Sequence, residues 1–132
     1  MVRAFVAAAA IGLALGPASP AAACSGPTQA DLDACTAADF KRADTAMNAA
    51  YAKLLKGIGP KAQQGLKEAQ RAWLLYRDRS CDLEASGAEG GSAQPMVRAG
   101  CLAALTGDRT RRLNGYLSCQ EGDLSCVGRL TE

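Results

Sequence analysis

The chain contains no histidine, and only 5% of its residues are aromatic. Without histidine there is no Ser-His or Cys-His nucleophile pair, no imidazole general base and no ordinary zinc site. The glycines Gly87, Gly90 and Gly91 neither follow a strand nor lead to a P-loop lysine, so no phosphate cradle is written here. Glu68, Glu84 and Glu89 are acids, but a glycosidase pair must face across a cleft, and nothing around these three marks them as buried. They read as solvated surface charge. No stretch alternates apolar and polar residues for long enough to make a strand, no segment repeats, and no two cysteines stand in a CxxC pair. These absences argue against an enzyme, and against a cofactor or a metal. Charge is also in short supply on either side: without Arg3, 14 basic residues face 13 acidic ones. A near-neutral chain lacks the concentrated basic surface that nucleic acid requires.

What the N-terminus does hold is an address. Arg3 is followed by an apolar run from Ala4 to Leu15, a Gly16-Pro17 break, and then Ala21-Ala22-Ala23, the small residues a signal peptidase needs. The run is shorter than the about 20 residues of a permanent membrane anchor. Residues 1–23 therefore read as a cleaved export signal, and 24–132 as one mature domain with no integral membrane segment. The alternative is a lipoprotein acylated on Cys24. Ala21 stands where a larger aliphatic residue is usual for that processing, and acylation would leave an odd number of cysteines.

The mature chain reads as all-α, with three main helices and antiparallel neighbours. Thr28 and Asp31 have the form of a capping box, and Leu32, Cys35, Phe40, Ala43, Met47, Tyr51, Leu54 and Ile58 keep a helical period. Gly57 and Gly59 close this helix, and Pro60 suits the first turn of the next. The second helix runs from about Pro60 to Leu83. Its face of Leu66, Ala69, Trp73, Tyr76 and Ser80 places the single tryptophan at the centre of the fold, with Tyr76 also in the core. Ser86 to Pro95 reads as a loop by composition. A third helix follows, carrying Val97, Cys101, Leu102, Leu105, Leu113, Tyr116 and Leu117. Gly107 suggests a kink or break there, with Asp108 recapping. The tail from Cys119 to Glu132 shows little periodicity.

Six cysteines in an exported chain of this size read as three disulfides. Sequence alone leaves 15 pairings open. Geometry favours local closure: Cys24–Cys35, Cys81–Cys101 across the antiparallel hairpin, and Cys119–Cys126 around Gly122. The group Arg71, Arg77, Asp78 and Arg109 has two readings. It is either a set of ion pairs bracing the second helix against the third, or part of a binding surface. Because Arg77 and Asp78 are adjacent on the helix and point differently, Asp78 is expected to pair with an arginine elsewhere.

The run Leu66-Lys67-x-Ala69-Gln70-Arg71-Ala72-Trp73, followed by Tyr76-Arg77-Asp78-x-x-Cys81, resembles the LprI-type family of secreted lysozyme inhibitors. Upstream, Cys24-x10-Cys35 with Asp44, Asn48 and Tyr51 is similar to that family's opening helix. Downstream, Gly90-Gly91-Ser92, Cys101 to Thr106, Arg109 and Leu113 follow its order. The resemblance implies an exported bacterial helical domain, in some members an inhibitor of lysozyme, with a protein as partner and no cofactor. It marks Gln70, Arg71, Trp73, Arg77, Asp78, Thr106 and Arg109 as structural motif residues. An inhibitor of this kind would block a cleft that holds two catalytic carboxylates. The candidate insert is the loop around Glu89, Gly90, Gly91 and Ser92, held at its base by the Cys81–Cys101 bridge and so losing less entropy on binding. Its acids and lack of arginine count against direct insertion into an acidic cleft. The other reading is a structural or protein-interaction module of the cell envelope with no action on lysozyme.

Overall fold

The computed structural model describes residues 24–120 and 122–127; the export signal read from residues 1–23 lies outside them. Three helices account for most of these residues: α1 (Gln29–Gly57), α2 (Pro60–Ser86) and α3 (Gln94–Leu117). The fold is all-α. At the start of α1 the Thr28 hydroxyl accepts from the Asp31 amide, and the Asp31 carboxylate accepts from the Thr28 amide, closing the capping box. The turn into α2 is two residues long. There Gln63 reaches back, and its Nε2 donates to the carbonyls of Leu55 and Ile58, each at 3.0 Å. Those carbonyls would otherwise be left open at a helix end.

Cross-helix pairs define the topology. Met47 meets Gln70, and Asp44 meets Arg77, so α1 and α2 run antiparallel. The Cys81–Cys101 disulfide, the Asp82–Arg98 ion pair and the Gln70–Arg109 hydrogen bond do the same for α2 and α3. Gln29 near the start of α1 meets Met96 near the start of α3, while Leu54 and Leu113 share a cluster near the other end. The first and third helices are thus parallel. The α3 backbone packs closest to α1, whereas α1 and α2 stand further apart. Long side chains from both helices fill that wider gap.

α3 is one helix unbroken through Gly107, and Asp108 pairs with Arg111 on its outer side instead of recapping. Glycine inside a helix costs about 1 kcal/mol, and packing along α1 over many turns outweighs that. α2 also continues to Ser86, three residues beyond the expected end. Among the described residues no helix is long and apolar enough to cross a membrane.

Gly65 lies within α2 with open space where a Cβ would point. Gly65→Ala therefore raises the free energy of unfolding by about 1 kcal/mol, read as a higher urea midpoint at constant slope. A lower midpoint would show that this position needs its glycine for something other than space.

Candidate functional site

The interior is built in layers. One apolar cluster joins Met47, Ala50, Leu54, Ile58, Leu66 and Leu113, and a second joins Cys81, Cys101 and Leu102 with Phe40 and Leu105 against it. Between them lies a polar layer. Gln70, Arg77 and Thr106 are the buried polar residues among those described.

Each has its partners. Gln70 Nε2 donates to Met47 Sδ at 2.9 Å, and its Oε1 accepts from Arg109 Nε at 3.0 Å, so one amide links all three helices. Arg77 Nη1 donates to Asp44 Oδ1 at 3.3 Å and to Thr106 Oγ1 at 3.4 Å. Its Nε and Nη2 both reach Asp78 Oδ1 at 2.9 Å. The guanidinium also lies over two rings, 5.3 Å from the centroids of both Phe40 and Trp73. Arg109 lies over Trp73 as well, at 5.6 Å. Planar, weakly hydrated guanidinium groups stack on aromatic faces in a way an ammonium does not.

Several expectations change here. Arg77 and Asp78 do pair, because the long arginine side chain curls back to its neighbour. Ion pairs do not tie α2 to α3 through this group. Arg77 bridges instead to Asp44 on α1, and the α2–α3 ion pair is Asp82–Arg98. Arg71 is exposed and has no ion pair among the described residues. The buried stripe of α2 is Leu66, Gln70, Arg77, Cys81 and Ala85, rotated from the expected face. Trp73 is half-buried inside the stack, and Tyr76 is not core at all, being 60% exposed. A periodic apolar stripe fixes a face only to within a residue either way, and here the polar partners shift it.

That rotation leaves Leu75, Tyr76 and Leu83 exposed on the outward side of α2. Leu75 is 61% exposed, Leu83 is 75% exposed, and Arg79 stands among them with no partner among the described residues. The face escaped the sequence reading because its apolar residues sit at the same period as the core stripe. Beyond its C-terminal end comes the loop 87–93. Its backbone is a succession of turns, with the Gly91 amide on the Ala88 carbonyl and the Gln94 amide on the Gly91 carbonyl. Gly90 has φ +74°, a left-handed conformation that disfavours other residues. Glu89, Gly90, Gly91 and Ser92 are all exposed, and the Cys81–Cys101 disulfide and the Asp82–Arg98 pair lie beneath them.

The other two disulfides join Cys24 to Cys35 and Cys119 to Cys126. Cys24, Cys35 and Asp39 group closely enough to suggest a cation site, but the two sulfurs are bonded to each other and are not free thiolates. Burial, reinforced by the charge of Arg112 and opposed by Tyr116, holds the Arg109 guanidinium below its ordinary pKa.

These features define a small, disulfide-stapled all-α bundle with an exposed, turn-built loop and several large apolar side chains exposed on α2. Residues 20–113 match the family model described as lysozyme inhibitor LprI, and the chain belongs to that family. It is also similar to an uncharacterised protein of Rhizobium meliloti (strain 1021), 37% identical over 107 residues that cover 71% of this chain and 77% of that one. No solved structure matches it. Three disulfides and this family membership fit an extracellular or periplasmic location.

Proposed function

We propose that this protein is exported and binds and inhibits lysozyme, contributing no chemistry of its own. The observation that carries the reading is the match of residues 20–113 to a family described as lysozyme inhibitors. On this reading residues 1–23 are removed on export and 24–132 form the inhibitor. Cys24 uses its sulfur in the bond to Cys35, which supports release over lipid anchoring at that residue.

The contact surface in this proposal is the loop Glu89 to Ser92 together with the outward face of α2. Tyrosine and arginine are enriched in binding hot spots, and Tyr76 and Arg79 supply them beside the exposed Leu75 and Leu83. Arg79 also provides the positive charge that the loop lacks for a carboxylate-lined cleft. The loop's chained turns and the bridge beneath it limit the entropy lost on binding.

The test is a cell-wall lysis assay with purified, oxidised protein. At several-fold molar excess over lysozyme, lysis slows. Tyr76→Ala combined with Arg79→Glu weakens inhibition by about tenfold or more, the range of a hot-spot loss. Bulky replacements at Gly90-Gly91 weaken it by a smaller factor. No slowing by the parent protein rejects inhibition of the lysozymes assayed. Slowing that survives both sets of substitutions places the contact on another surface.

A further inference from the structure

Where α1 ends and α2 begins, a cleft of about 330 Å³ opens against α3 and the tail. Its walls are mostly aliphatic, from Leu54, Ile58, Leu66 and Val127, with Tyr116 beside them. Among the described residues the charged side chains that line it, Lys61 and Arg109, are both cationic, and no carboxylate lines it. Arg109 is half-buried. Its Nε is engaged by the neutral Gln70, one face lies over Trp73, and no carboxylate among the described residues pairs with it.

A partly desolvated cation with no carboxylate partner among the described residues is an unfavourable arrangement, and burial lowers the pKa of this guanidinium even though Tyr116 opposes the shift. An anion placed against Arg109 would relieve it, and a carboxylate fits the guanidinium fork with two parallel hydrogen bonds. The remaining wall favours an alkyl chain. Ligand sites begin at about 300 Å³, so this volume suits a single short chain and excludes a two-chain lipid.

We propose that the cleft binds a medium-chain aliphatic monocarboxylate, with its carboxylate on Arg109 and Lys61 and its alkyl chain against Leu54, Ile58 and Leu66. This site is separate from the α2 outer face and the loop, and it does not depend on lysozyme binding.

Trp73 is the chain's single tryptophan and lies under Arg109, so its emission reports on the carboxylate end of the site. Titration of the full oxidised protein with decanoate, below its micelle concentration, shifts that emission saturably. From hexanoate to decanoate, affinity rises roughly fourfold per methylene until the cleft is full. Decanol binds at least about tenfold more weakly than decanoate, and decyltrimethylammonium does not compete. Arg109→Gln removes the preference for acid over alcohol. A second variant, Gly65→Leu, starts from a cleft-lining position with open space at its Cβ, and the added side chain abolishes decanoate binding with helicity intact. Three results overturn the proposal: equal affinity for decanol and decanoate, undiminished binding in Gly65→Leu, or no saturable signal with decanoate.

Discussion

Arg77→Ala lowers the stability of the protein by about 3 kcal/mol, in a domain whose total is expected to lie near 5–15 kcal/mol. Arg77 is 8% exposed, in the layer between the two apolar clusters. Truncation removes a guanidinium lying over two rings, each such contact worth about 1 kcal/mol. It also takes the donor from the Thr106 hydroxyl, which is fully buried, and an unsatisfied buried hydroxyl costs about 1–3 kcal/mol. The ion pairs add little to this total. The side chains of Asp44 and Asp78 are 38% and 47% exposed, so both can turn to water when the arginine is gone. At about 4–8 °C per kcal/mol, the melting temperature falls by roughly 12–24 °C. Arg77→Met separates the causes: it keeps a long side chain beside Phe40 and Trp73 but loses both the charge over the rings and the donor to Thr106. The methionine variant should therefore lose more than half as much as alanine, the difference being the packing that the longer side chain keeps. A methionine variant as stable as the parent would show that the guanidinium contacts contribute little and that packing carries the effect.

This arginine also marks the limit of what the sequence makes legible. The helices are readable because their signals are local. The Thr28–Asp31 box, Gly57-Ile58-Gly59-Pro60 and the glycine-rich stretch after Ser86 each act within a few residues. Local closure of cysteines across a short turn or a hairpin is readable for the same reason. The polar layer is not, because Gln70 and Arg77 find their partners 23 to 39 positions away, at Met47, Asp44, Thr106 and Arg109. A periodic stripe places apolar groups inward by default, and only those distant partners make a glutamine and an arginine the better inward choice. Once they turn inward, Tyr76 and Leu75 must turn outward, and the candidate contact face follows from that rotation. The cleft is hidden in a similar way. It depends on Val127 of the tail packing against the cluster that holds Leu54 and Leu66, a contact between segments with no shared pattern.

Removing the Cys81–Cys101 disulfide by the double substitution Cys81→Ala and Cys101→Ala lowers stability by about 3 kcal/mol, the largest loss among the three bonds. It spans 20 residues, against 11 for Cys24–Cys35 and 7 for Cys119–Cys126, so its loss frees the most conformations in the unfolded chain. It is also the bond set in the apolar cluster of α2 and α3, where both sulfur-bearing residues are buried. Two signatures accompany the loss in urea unfolding. The midpoint falls, and the slope rises because an unfolded chain without this link exposes more surface. The same substitution loosens the base of the loop, leaving Asp82–Arg98 as the remaining ion pair between the two helices at that end. That pair is exposed on both sides and holds little. Inhibition of lysozyme should therefore weaken in this variant even at temperatures where α1, α2 and α3 remain formed, whereas opening Cys119–Cys126 leaves it unchanged. An equal stability loss for the seven-residue and twenty-residue links would remove loop closure as the cause and assign the effect to packing at the sulfurs. Equal inhibition with and without the Cys81–Cys101 bond would remove the braced loop from the contact surface.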